Sequence, residues 1–129
     1  MSNETGKLIV LYGINNIGKS TQAKKLVGRL EDEGFRSEYV KYPVYDEKPS
    51  GPFINDVLRN GKDVSVEELQ MWYTINRFQF QPRLKALLAD GAWVVAEDYI
   101  GTGIAWGMAQ GIEKAWLVEM NKFLIAEDI

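Results

Sequence analysis

The chain has 129 residues, 46% of them apolar and 26% charged, and a net charge of −3, which suits one globular domain and excludes long disorder. It has neither cysteine nor histidine, so disulfides, thiolate zinc sites, a Ser-His-Asp triad and a histidine general base are excluded. The apolar runs at 8–11 and 93–96 are too short to cross a bilayer, and no signal peptide is recognisable. The acidic balance argues against a broad nucleic-acid surface. A cytoplasmic protein that engages neither membrane nor nucleic acid is expected.

Residues 7–12 read as a short buried strand ending at Gly13. A helix runs from near Lys19 to about Glu33, with Ala23, Leu26, Val27 and Leu30 as its apolar stripe and Gly34 as its stop. Residues 37–42 form a second strand, closed by Pro43, and 46–52 form a loop. A short helix covers about 52–59, with Ser50 or Gly51 near its N-cap. Ser65 and Glu68 have capping-box spacing and open a long helix to about Ala89, which Pro82 should kink or divide. Residues 92–97 form a third strand, and 102–108 and 113–126 read as helices. The order β-α-β-α-α-β-α-α implies an α/β fold, a parallel sheet wrapped by helices in a single domain over 1–129.

Gly13, Ile14, Asn15, Asn16, Ile17, Gly18, Lys19 and Ser20 fit the phosphate-loop pattern G-x-x-x-x-G-K-[ST] at every fixed position. The glycines let successive backbone N–H groups turn inward, and the following helix adds free N–H groups and its positive dipole end. Lys19 is placed to reach the β- and γ-phosphates of a nucleoside triphosphate, Ser20 to ligate Mg²⁺, and Thr21 to contact the α-phosphate. Glu97 and Asp98 end the third strand, where such proteins hold the Mg²⁺ shell, although a solvated strand end carries the same residue types. Glu97 is the candidate for the metal. Tyr73, Asn76 and Arg77 share or border one helix face, where a ring could stack on a base and a guanidinium could bond its edge. Aromatic residues on helices are more often core, and Trp72, Phe78 and Phe80 are assigned there.

Four segments in order resemble the thymidylate kinase family. They are 7–21 (KLIVLYGINNIGKST), Lys41-Tyr42-Pro43, 73–77 (YTINR) and 97–106 (EDYIGTGIAW). The resemblance implies a P-loop NTPase three-layer α/β/α fold with strand order 2-3-1-4-5. It also implies transfer of the ATP γ-phosphoryl to thymidine monophosphate with Mg²⁺, the small-molecule partners being ATP and dTMP. Lys19 and Glu97 would be catalytic. Tyr73 would stack on thymine, and Arg77, with Asn76 beside it, would face the base edge. Tyr42 would pack near the substrate, Asn15 would face its sugar, and Tyr99 would close the sugar side. A homodimer is implied.

Four departures bear on activity. Asn15 stands for the family's usual P-loop acid, Glu97-Asp98 for its Asp-Arg, and Tyr45 for an arginine that meets the substrate phosphate; the P-loop itself carries no arginine. A lid arginine, a further strand and the adenine-contacting loop would follow Ile129. The strand at 7–12 would then be a sheet edge, and an open apolar edge invites association. Asp98 would repel a phosphate unless a metal or a lysine offsets it. Two rival readings remain. One is a deoxynucleoside kinase; the other is a nucleotide-binding module without turnover.

Overall fold

The computed structural model describes residues 5–14 and 18–129. Asn15, Asn16 and Ile17 of the phosphate loop lie outside the described residues. The elements are β1 (Leu8–Leu11), α1 (Lys19–Asp32), β2 (Ser37–Lys41), α2 (Ser50–Arg59), α3 (Val66–Ala89), β3 (Trp93–Glu97), α4 (Ile100–Ala109) and α5 (Lys114–Asn121). Two compact units form: Met1–Tyr42, Gln81–Asp98 and Ile125–Ile129 make the first, and Pro43–Phe80 and Tyr99–Leu124 make the second.

In the first unit β3 is the central strand, with β1 and β2 parallel on either side, which is the expected 2-3-1 order. Val94, Val95 and Ala96 are fully buried, as a strand covered on both faces requires, and Leu8, Ala23, Leu84 and Ala92 join them. Gly6 marks a close approach: a Cβ there would sit 1.6 Å from the Ala92 carbonyl oxygen, so no other residue fits. The outer edge of β1 is not left open as expected. Ile129 N–H donates to Leu8 O at 3.3 Å, and Val10 N–H donates to Ile129 O at 2.9 Å. That pair of bonds is the pattern of a parallel neighbour centred on Ile9. The Leu8 N–H also donates to the Asp128 carboxylate at 2.8 Å.

The last helix therefore ends earlier than its sequence suggests. Helix α5 stops at Asn121 rather than 126. The residues after it leave the helix because Ile125 N–H is taken by the Gln81 side chain at 2.7 Å and residues 128–129 by the β1 edge.

In the second unit the Ser65 hydroxyl accepts the Glu68 N–H at 3.0 Å, so the capping box opens α3 where expected. Pro82, a residue of the first unit, lies inside α3 without dividing it. Phe78, four residues earlier, is 59% exposed, and Pro82 is exposed as well. Phe78 is thus not core, contrary to the sequence assignment. Met71, Ile75 and Phe78 form an exposed stripe, and Asn76 and Phe80 point inward from the other side of the helix. Trp72 stacks on Phe53 with ring centroids 4.3 Å apart. Helix α2 begins at Ser50 instead of 52, with Pro49 at its N-cap.

Candidate functional site

The phosphate-loop end of the first unit is built by β1, α1, β2 and β3. Gly18 caps α1 in the left-handed region at φ 83°, a conformation that favours glycine and turns the chain into the helix. Lys19 and Ser20 follow as the first helical residues. The Ser20 hydroxyl donates to Glu97 Oε1 at 2.5 Å, and the Tyr39 hydroxyl donates to the same oxygen at 2.7 Å. Lys41 Nζ lies 3.7 Å from Glu97 Oε2.

Glu97 is only 2% exposed. Burial alone would raise its pKa, but the Ser20 and Tyr39 hydrogen bonds and the Lys41 and Lys19 charges outweigh it, and the carboxyl is held below its ordinary value. Burial and the Glu97 hydrogen bond push the Tyr39 phenol up to about 12, so it stays a donor.

Tyr39 went unnoticed in the sequence. The signal was the register: Tyr39 pairs with Val95 and Lys41 with Glu97, so both side chains of β2 lie along the face of β3 that carries Glu97.

Lys19 is 7% exposed, and its ammonium is fully engaged. It donates to Gly13 O at 2.7 Å and to Asp98 Oδ1 and Oδ2 at 2.9 and 2.8 Å. The lysine that would offset Asp98 is therefore the loop's own. Tyr42 is buried at 5%, its N–H bonded to Glu97 O at 3.1 Å.

These groups fit Mg²⁺. An ionised carboxylate and a hydroxyl are hard oxygen donors, and they already meet at the foot of the loop. Among the described residues no three acidic or other ligating side chains gather. The protein's share of such a shell would be Glu97 and Ser20, with phosphate oxygens and water completing it.

The second unit places the other candidates along α3. Tyr73 is half-buried, and its phenol pKa is raised by burial and by Tyr45, with Arg77 partly opposing. Arg59 lies over the Tyr45 ring, 5.3 Å from its centroid. Arg77 is 6% exposed and its Nη1 donates to Asn121 Oδ1 at 2.9 Å. Gly103 makes room for it: a Cβ there would lie 2.5 Å from Arg77 Nη2.

Asn76 is fully buried and committed to protein. Its Oδ1 accepts Val44 N–H at 2.7 Å, and its Nδ2 donates to Val44 O at 2.8 Å and to Ser50 Oγ at 3.0 Å. It therefore ties the segment after β2 to α3. Tyr99 precedes α4 and is 1% exposed. The structure thus gathers Lys19, Ser20 and Glu97 in one unit, with Tyr42 bonded to the Glu97 backbone. It sets Tyr73, Asn76, Arg77 and Tyr99 in the other.

Residues 11–129 match the family model for thymidylate kinase. The thymidylate kinase of Plasmodium falciparum is 31% identical over 125 residues, covering 96% of this chain and 59% of its own length. The probable thymidylate kinase of Thermococcus kodakarensis is 32% identical over 130 residues, covering 94% of this chain and 62% of its own length. The chain thus spans about three fifths of the length of these curated relatives. The solved thymidylate kinase of Candida albicans superposes with a TM-score of 0.85 at 29% identity, over 97% of this chain and 61% of that one. The enzyme of Ehrlichia chaffeensis, at 21% identity and a TM-score of 0.83 over 97% of this chain and 72% of its own, shares the fold. On the strength of the match over residues 11–129, this chain belongs to the thymidylate kinase family.

Proposed function

We propose that the chain transfers the γ-phosphoryl of ATP to thymidine monophosphate in the cytoplasm, giving thymidine diphosphate for dTTP synthesis. The observation that carries this is the Ser20–Glu97 contact beside Lys19 at the mouth of a phosphate loop, in a chain of this family. An oxygen of the dTMP phosphate attacks the γ-phosphorus, the bond from that phosphorus to the bridging oxygen breaks, and ADP leaves with the electron pair. Ser20 and Glu97 would hold Mg²⁺, which would offset the phosphate charge.

The chain's own residues bind and position. Lys19 exchanges its Asp98 contacts for phosphate oxygens, and the free N–H groups at the start of α1 meet others. Tyr39 keeps Glu97 ionised and aimed. Thymine stacks on Tyr73, with Arg77 toward the base edge; Asn76 acts through the Val44 segment that it holds. Asn15 on the sugar, and Tyr42 and Tyr99 near the substrate, are carried from the family resemblance. Self-association as a homodimer is supported by the exposed Met71–Ile75–Phe78 stripe of α3.

A coupled assay with ATP and either dTMP or thymidine tests the reading. Phosphorylation of dTMP is expected, at a turnover far below the roughly 1–100 s⁻¹ usual for kinases, because a carboxylate stands where the family carries an arginine. Phosphorylation of thymidine alone would make the chain a nucleoside kinase. Binding of ATP·Mg without transfer to either would make it a binding module.

A further inference from the structure

The Lys19 ammonium is held on all sides by the first unit. It has three N–H donors, and three acceptors receive them: Gly13 O and both oxygens of Asp98. The Lys19 and Asp98 side chains are only 5% and 14% exposed. A phosphate oxygen can reach Nζ only by displacing one of these acceptors. Displacing Asp98 leaves a poorly hydrated carboxylate beside the incoming anion, with the Glu97 carboxylate one residue away.

The backbone, and not only the side chain, sets this arrangement. Asp98 N–H donates to Leu11 O at 3.0 Å, carrying the β1–β3 pairing one residue past the strand end. Its φ is 66°, the left-handed region that Asp and Asn tolerate better than other side chains. The carboxylate is therefore aimed at Lys19 by the chain path.

We propose that Asp98 determines the affinity of the loop for polyphosphates, by holding Lys19 in competition with them. The inference rests on the phosphate-site reading above and deepens it. It assigns Asp98 as a positioning residue that acts through Lys19. The site it creates favours a ligand whose own charge is already reduced by a cation, because one buried lysine is contested between the Asp98 carboxylate and a polyanion.

The test is a double-mutant cycle read by calorimetry with ATP·Mg and, separately, inorganic tripolyphosphate with Mg²⁺. Asp98→Asn removes the charge and keeps a residue suited to the left-handed backbone. It should tighten both ligands about tenfold or more, the scale of one charge-assisted contact. The gain should shrink clearly in a Lys19→Met background, because the competition is then absent. A loss or no change in affinity for Asp98→Asn overturns the proposal. So does an equal gain in both backgrounds, which would be plain charge repulsion.

Trace acetylation of Lys19 without ligand gives an independent readout. Its rate should rise about tenfold in Asp98→Asn as the amine is freed. An unchanged rate counts against the pairing itself. If the Asn variant does not fold, Asp98→Gly, which the same φ accepts, takes its place in the cycle. If tripolyphosphate shows the gain while wild type takes no ATP, the nucleotide reading fails and the role of Asp98 stands.

Discussion

At the end of β3 the first unit links Lys19, Asp98, Ser20, Glu97 and Tyr39 through contacts that a phosphate or a cation could replace one by one. The second unit buries Asn76 and Arg77 of α3 and Asn121 of α5; Asn76 bonds to the Val44 backbone and the Ser50 hydroxyl, and the Arg77 guanidinium donates to the Asn121 amide, whose Nδ2 donates to Leu117 O. Both regions are polar and buried, but the first is held by the Lys19–Asp98 ion pair, which a charged ligand can exchange. Polar groups that hold each other through charge are poised for a ligand, whereas groups that satisfy backbone donors and acceptors hold the fold. Substitutions in the first region should therefore move binding more than stability, and those in the second the reverse.

The largest effect expected is on binding. Lys19→Ala should weaken ATP·Mg by about 2–3 kcal/mol or more, the loss of a charge-assisted contact, with a smaller cost in stability from the loss of the Asp98 ion pair. Calorimetry alongside thermal melting separates the two. Equal affinities would remove the phosphate assignment.

Next in size is the converse. Asn76→Ala leaves the Val44 N–H and carbonyl without their buried partner, at a cost of about 2–3 kcal/mol of stability. Its ATP·Mg affinity should stay that of wild type at temperatures where the variant is folded. A variant that melts normally but loses dTMP would return Asn76 to the substrate and break the contrast between the regions.

Tyr73→Ala should cost less, about 1–2 kcal/mol of dTMP affinity from lost stacking, with little change in melting because the ring is already half-exposed. Arg77→Ala should instead erode the preference for dTMP over cytidine monophosphate. Titration of both monophosphates with the wild type and the two variants is decisive. Indifference of the protein to the base, together with indifference to both substitutions, would dismiss the face as a base platform.

How far these regions could be read in the sequence differs in the same way. The loop 13–20 announces itself because its chemistry is local: the glycines, the lysine and the hydroxyl are neighbours in the chain. The Ser65 cap is legible for the same reason, whereas the strand order follows only from the family resemblance. The pairing of Lys19 with Asp98 joins residues 79 positions apart, and only the β1–β3 register brings them together.

Spacing puts Asn76 at the border of the Tyr73 face, and the resemblance sets it beside Arg77 as a substrate contact. Spacing gives the face of a helix, but not whether a loop already occupies it. Phe78 is assigned to the core only because aromatic residues on helices usually lie there, and residue type alone does not show that its face has no partner. The apolar spacing of Leu117, Leu124 and Ile125 extends α5 on paper. Capture of the tail by the β1 edge, a long-range hydrogen-bonding event, ends it.

The smallest effect concerns Glu97 and follows from its protonation. In the folded chain the carboxyl is held below its ordinary value, since the bonds from Ser20 and Tyr39 and the charges of Lys41 and Lys19 favour the ionised form more than burial opposes it. In the unfolded chain those partners are gone, and the group titrates near the ordinary glutamate value. The folded state therefore binds the proton less tightly than the unfolded state. Stability from this group is fully present above the unfolded value and is lost as pH falls through the folded one. Urea unfolding of the wild type followed from neutral pH downward should show that loss in the acid range. Glu97→Gln keeps the size and the acceptor oxygen but cannot titrate, so its midpoint should fall less steeply over the same interval. The hydroxyls of Ser20 and Tyr39 can still donate to the amide oxygen, which is why the effect at neutral pH should be small. Parallel acid profiles for the two proteins would mean that Glu97 is not held ionised by its neighbours, and the claim that this region is prepared for a cation would lose its electrostatic support.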